Sequence, residues 1–89
     1  MENNALKIHP ADNVAIAIRL IKKGEDVLVD SMKLAAAVED IAPSHKVALV
    51  DIKSGAVVVR YGEPIVQAKE NIRKGQWVHV HNTHPIERD

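Results

Sequence analysis

An 89-residue chain can hold one small domain, and folding at this length buries about 60–65% of the unfolded surface, a modest core. It has no cysteine, which excludes a disulfide framework and a cysteine-ligated zinc site, and no Phe, so the core must come from Val, Ile, Leu and Ala. Its 12 basic residues balance 12 acidic ones with no single-sign block, and one Trp and one Tyr offer little stacking surface, so neither nucleic acid nor a membrane surface is an expected partner.

The N-terminus, MENNALKIHPADN, lacks a basic start followed by an apolar stretch. No apolar run approaches the roughly 18–20 residues of a membrane span, so a cytoplasmic protein is expected. His9 and, near the other end, His84 flank the domain and are expected at the surface. Asp12-Asn13 suits a turn closed by side-chain-to-backbone hydrogen bonds, with a ligand contact as the other option. Val14, Ile16 and Ile18 alternate with alanines and predict the first strand.

Ile21-Lys22-Lys23-Gly24 then leads to Val27, the first of three I-[KR]-x-G-x-x-V copies; the others start at Ile52 and Ile72. The pattern reads as a strand end, a type I turn followed by a glycine at positive φ, and a new strand. Spacings of 31 and 20 residues exclude a solenoid, leaving one corner used three times in a small β structure. Between the first two copies, two readings stand for residues 31–41. Leu34, Val38 and Ile41 follow helical spacing behind a capping Ser31; the rival is a hairpin through Asp30-Ser31 with a helical turn over residues 38–42. Pro43 stops either one. The adjacent acids Glu39-Asp40 point apart and form a solvated turn rather than a catalytic dyad.

His45-Lys46 sits on the turn before the run Val47 to Val50, where a histidine and a cation can hold a carboxylate; a merely solvated turn is the alternative. Residues 56–59 are a β-branched strand, and Tyr61-Gly62-Glu63-Pro64 is the turn after it, with the Tyr61 ring packed against the core. In Trp77-Val78-His79-Val80-His81, Val78 and Val80 share one strand face and Trp77, His79 and His81 the other. His79 and His81 can ligate a metal if a third ligand converges, contact a substrate or partner, or form an inert polar face. Asn82 either orients a ligand or ends the strand.

Four stretches together resemble the N-terminal domain of the altronate and galactarate dehydratases. Lys7-Ile8-His9 with Asp12-Asn13-Val14-Ala15 is similar to its opening. His45-Lys46-Val47-Ala48-Leu49 with Asp51-Ile52 resembles G-H-K-[VI]-A-L-x-D-I, and Arg60-Tyr61-Gly62-Glu63-Pro64-Ile65 resembles K-Y-G-x-P-I. Gly75-x-x-Val78-His79-Val80-His81-Asn82 resembles the closing G-x-x-V-H-V-H-N. Two positions depart from the pattern: Ser44 and Val66 stand where the family has glycine. Serine and valine there would obstruct any close approach of a ligand or partner backbone.

The resemblance implies a mainly β, small SAF-type β-clip with short helical turns. It would be a single domain over 1–89 with its core at about 6–83, and it favours the hairpin for residues 31–41. It further implies the small subunit or N-terminal domain of a sugar-acid dehydratase-like lyase; sulfolactate sulfo-lyase is a relative split into small and large subunits. The expected partners are a large catalytic subunit, a sugar acid and possible further copies of the chain. His45, Lys46, His79, His81 and Asn82 are the candidate substrate- or partner-binding residues, with His79 and His81 also the candidate metal ligands. No catalytic residue is assigned. No cofactor is expected on this chain alone, the divalent metal belonging to the complete enzyme, and the isolated chain is not expected to be active. The alternative is a stand-alone SAF module binding a carbohydrate or protein without catalysis; a third reading is assembly through exposed β edges alone.

Overall fold

The computed structural model describes residues 3–87. It contains strands β1 (Ala5–Leu6), β2 (Val14–Ala17), β3 (Asp26–Val29), β4 (Met32–Ala36), β5 (Lys46–Ala48), β6 (Val57–Arg60), β7 (Glu63–Ala68), β8 (Trp77–Val78) and β9 (Thr83–His84). A central antiparallel sheet has the order β1-β2-β5-β8, and β3-β4 and β6-β7-β9 form two smaller sheets. The fold is mainly β, as expected. The expected short helical turns are absent among the described residues: at residues 38–42 Val38 N–H donates to Gly75 O, and Ile41 bridges Ile21 instead of continuing a turn.

The chain folds as two equivalent lobes, 31 residues apart, on either side of the central sheet. In the first, Ile21 bridges Ile41 and encloses the β3-β4 hairpin; in the second, Ile52 bridges Ile72 and encloses β6-β7. Gly24 N donates to Ala37 O and Gly55 N to Ala68 O, both at 2.8 Å, and the two hairpins bulge after the matching residues Val27 and Val58. Both hairpins turn on two residues of positive φ, Asp30-Ser31 (50°, 64°) and Tyr61-Gly62 (57°, 73°), the arrangement whose twist suits a two-residue hairpin loop. Each hairpin is clamped by one asparagine. Asn4 Oδ1 accepts Leu28 N–H and its amide donates to Asp26 O, while Asn13 does the same with Val59 and Val57.

The glycine corner is used four times rather than three. Ile41-Ala42-Pro43-Ser44 leading to Val47 is the fourth copy, with Ser44 at φ 71° where Gly24, Gly55 and Gly75 have φ 88–90°. In each corner the glycine or serine is the third residue of a four-residue turn closed by a backbone bond, as from Glu25 N to Lys22 O. That is the type II position, in place of the type I turn expected. Three corners are tied to a neighbour by a side-chain acceptor: Asp40 takes Lys23 N–H, Asn71 takes Ser54 N–H and Asp51 takes Lys74 N–H. At the fourth, Leu20 occupies the sequence position corresponding to those acceptors, and Pro43 has no N–H to satisfy.

Each lobe has its own core. Ile21, Val27, Val29, Ala35, Ile41 and Leu49 belong to the first, with Ala15, Ala17 and Val47 from the central sheet. Ile52, Val58, Ala68 and Ile72 belong to the second, with Val14, Ala48 and Val78. Neighbouring residues of β2 and β5 thus face different cores, which is why Val14, Ala15 and Ala17 are all buried in place of the expected alternation, while Ile18 beyond the strand is half exposed. Burying each isoleucine contributes about 1.5–3 kcal/mol.

Candidate functional site

Pairing of β5 with β8 places Val47 opposite Trp77 and Lys46 opposite Val78, so two segments distant in sequence meet at one end of the central sheet. There the Trp77 indole gathers three histidines. The His79 ring stacks on it with centroids 5.1 Å apart, His81 lies 4.7 Å away, and His45 lies 5.5 Å from Trp77 and 5.1 Å from His79. Trp77 Nε1–H donates to His45 Nδ1 at 3.0 Å, which fixes that nitrogen as unprotonated. The Trp77 backbone N–H is held by the Glu39 carboxylate, a partner the sequence did not suggest.

The strand carrying these residues is shorter than expected. It ends at Val78, and Val80 lies exposed in the following turn instead of sharing the core face. Asn82 causes this. Fully buried, it accepts His79 N–H and donates to Trp77 O, closing the chain into a tight turn, while Thr83 Oγ1 donates to His79 O. The structure shows the strand-ending role of Asn82, its amide bonded at both ends to the backbone of the turn. The turn still presents His79 and His81 toward Trp77, so the expected grouping of the three rings holds although its strand geometry does not.

Burial, followed by the charges of His45, Lys46 and His81, pushes the His79 pKa below its usual 6.5. Burial and then the nearby Arg60 charge lower that of Lys46. These influences run as one strip, Arg60 to Lys46 to His79, with no carboxylate ion-paired to it among the described residues. The remaining sequence candidates lie apart. His84 faces Glu87 at 3.7 Å. His9 accepts Ala11 N–H and covers Gly62, where any Cβ would strike its ring. Asp12 accepts N–H groups of His9 and Gly62; burial works to raise its pKa, but these and the Tyr61 and Ile8 backbone bonds outweigh it and hold the carboxyl below the usual range. Tyr61 is half exposed rather than in the core, its ring and hydroxyl holding the Arg60 guanidinium.

The donor set does not fit a self-contained metal centre. His45 Nδ1 is occupied by the indole N–H, His79 is stacked face to face on Trp77, and no ligating group of three His, Asp or Glu occurs among the described residues. The strip instead suits an anion. No helix of the described residues is long and apolar enough to cross a membrane.

A family model described as "Altronate/galactarate dehydratase SAF domain" matches residues 3–85. The chain is 45% identical to an altronate dehydratase of Escherichia coli and 42% identical to one of Bacillus subtilis, in each case over 88% of this chain and 16% of the relative. It thus spans about one-sixth of the length of those relatives. It is also 29% identical to a (2R)-sulfolactate sulfo-lyase subunit alpha of Chromohalobacter salexigens, over 84% of this chain and 87% of that subunit.

Proposed function

The chain belongs to the altronate/galactarate dehydratase SAF domain family, and from that membership we propose that it serves a sugar-acid dehydratase-like lyase as its small subunit or N-terminal domain. In this reading it acts in the cytoplasm and lays the His45–Lys46–His79–His81 face against a large catalytic partner, helping to form the substrate site. The observation that carries the proposal is the collection of three histidines on Trp77 with Lys46 beside them and, among the described residues, no carboxylate ion-paired to that face. The sulfo-lyase alpha subunit, matched over 87% of its own length, is a relative in which a chain of this kind is a subunit of its own.

Removing a proton beside a carboxylate develops enediolate charge, which preorganised cations and N–H donors stabilise. The lowered pKa leaves His79 neutral at neutral pH, able to donate or accept one hydrogen bond. Lys46 supplies fixed positive charge. The base, and any divalent cation the elimination uses, belong in this reading to the large partner.

The test mixes the chain with a large dehydratase subunit and measures altronate or galactarate dehydration. The isolated chain is expected to be inactive, the mixture active, and His79→Ala or His81→Ala to lower kcat/KM about 10–100-fold. Full activity of the large subunit without the chain would sink this role and leave a stand-alone binding module.

A further inference from the structure

The equivalence of the two lobes exposes where they differ. Advancing by 31 residues carries the first core onto the second: Ile21 to Ile52, Val27 to Val58, Ile41 to Ile72, Val47 to Val78. The match fails at one end. Ala15, Val29 and Leu49 are 0%, 4% and 6% exposed in the first core. The residues at the corresponding sequence positions are Lys46, Arg60 and Val80, and Val80 is 73% exposed. The second core is therefore open where the first is closed, and two cations occupy the positions of buried apolar side chains.

Among the described residues, no carboxylate forms an ion pair with either cation. Arg60 Nε is buried and has no hydrogen-bond partner, the one such side-chain atom among the described residues. Its guanidinium is nevertheless held in place, with Nη2 donating to Tyr61 Oη at 3.0 Å and Cζ 4.6 Å from the ring centroid. Glu63 stands opposite Arg60 across the hairpin but is exposed and makes no ion pair with it. Asp12, anchored nearby at Gly62, is engaged by backbone N–H groups. Lys46 pairs with no carboxylate among the described residues, and its lowered pKa reflects both burial and the Arg60 charge. Burying a charged donor unpaired is costly, so a fixed, unpaired Nε–H beside a second cation is organised for an incoming anion.

We propose that Lys46 and Arg60 form a carboxylate-binding pocket at the open end of the second core, in which Arg60 Nε–H and the Lys46 ammonium hold the carboxylate of a small organic acid. Arginine and a carboxylate form strong, directional charge-assisted bonds, with the lysine adding a point charge. The identity of the acid as a sugar acid rests on the dehydratase reading; the pocket itself does not. Arg60 is absent from the residues singled out by sequence because an arginine at a strand end looks like a solvated charge until the two lobes are compared.

The experiment follows the Arg60 Nε–Hε resonance of the nitrogen-15-labelled chain while acetate, then galactarate, is added at constant ionic strength. A saturable shift is expected. It should weaken about tenfold in Lys46→Met and persist in Lys33→Met, a lysine of the first lobe that pairs with Asp26. Arg60→Lys keeps the charge and loses the directional donor; carboxylate-induced shifts of neighbouring backbone amides should fall, with Trp77 fluorescence reporting that the fold is intact. A resonance unmoved by either acid, or moved equally in Lys46→Met, overturns the pocket. Saturable binding in a chain that fails to support dehydration would retain the pocket and discard the sugar-acid reading.

Discussion

The indole N–H of Trp77 donates to Nδ1 of His45, 32 residues earlier in the chain, at 3.0 Å. The bond uses Nδ1 as its acceptor, and at the neighbouring, half-buried His79 desolvation, followed by the charges of His45, Lys46 and His81, holds the pKa below the usual 6.5. The sign of the His79 contribution follows. Its folded pKa lies below its unfolded one, so as pH falls through 6.5 the unfolded chain takes up the proton first and stability declines. The decline ends below the folded value, where both states are protonated. Asp12 acts only in a lower window: its stabilisation is present above 3.8 and is lost as pH falls through its depressed folded value. Denaturation followed by Trp77 fluorescence should show the midpoint falling as pH drops from neutral. His79→Ala should flatten that slope, and an unchanged slope in the variant would show that another group is responsible.

Asn82 holds the histidine turn from inside, through bonds to His79 N–H and Trp77 O. Replacing it with alanine leaves His79 N–H and Trp77 O without their side-chain partners in a buried setting, at a cost of about 2–3 kcal/mol. The expected result is a lower denaturation midpoint together with loss of the ring-current shifts that Trp77 imposes on His79. If the midpoint drops but those shifts survive, the turn is held by something other than Asn82.

How much of this was legible in sequence depends on whether the signal was local. The second hairpin was readable because its turn residues and β-branched run lie side by side, whereas the first stood open against a helix until the family resemblance favoured it; the three rings of residues 77–81 were grouped correctly. The helical spacing of Leu34, Val38 and Ile41 was misleading, since Val38 and Ile41 are satisfied by Gly75 and Ile21, partners that no local pattern reveals. The same holds for His45, which joins His79 through strand pairing, and for Arg60, whose unusual burial appears only by comparison with Val29. The fourth corner escaped because serine replaces glycine in it.

That serine is a strained residue. Ser44 sits at φ 71°, a conformation costing an L-residue about 1–2 kcal/mol, while glycine gives back about 0.5–1 kcal/mol in unfolded-state entropy. Ser44→Gly should therefore stabilise the chain by about 0.5–1 kcal/mol, with Ser44→Ala giving no gain. A glycine variant no more stable than the parent would mean that the hydroxyl contributes something that offsets the strain. Ser44 is exposed, and what this departure from the family pattern changes within the chain is backbone conformation. At Gly75 the requirement is different: an added Cβ would collide with Ala36 O, and Gly75→Ala should destabilise more than the alanine substitution at Ser44.

The two asparagine clamps make the equivalence of the lobes testable. Asn4 and Asn13, nine residues apart in sequence, each tie one hairpin through a pair of bonds of 2.8–3.0 Å. Either alanine substitution should cost about 2–3 kcal/mol, because two partner groups lose their bonds. The local consequences should separate. Asn4→Ala should deprotect the Leu28 amide to hydrogen exchange and spare Val59, and Asn13→Ala should do the converse, since each hairpin packs on its own core. Equal deprotection of both amides in either variant would mean that the lobes open as one unit. In that case the shared central sheet, whose alanines serve both cores, would be the element that couples them.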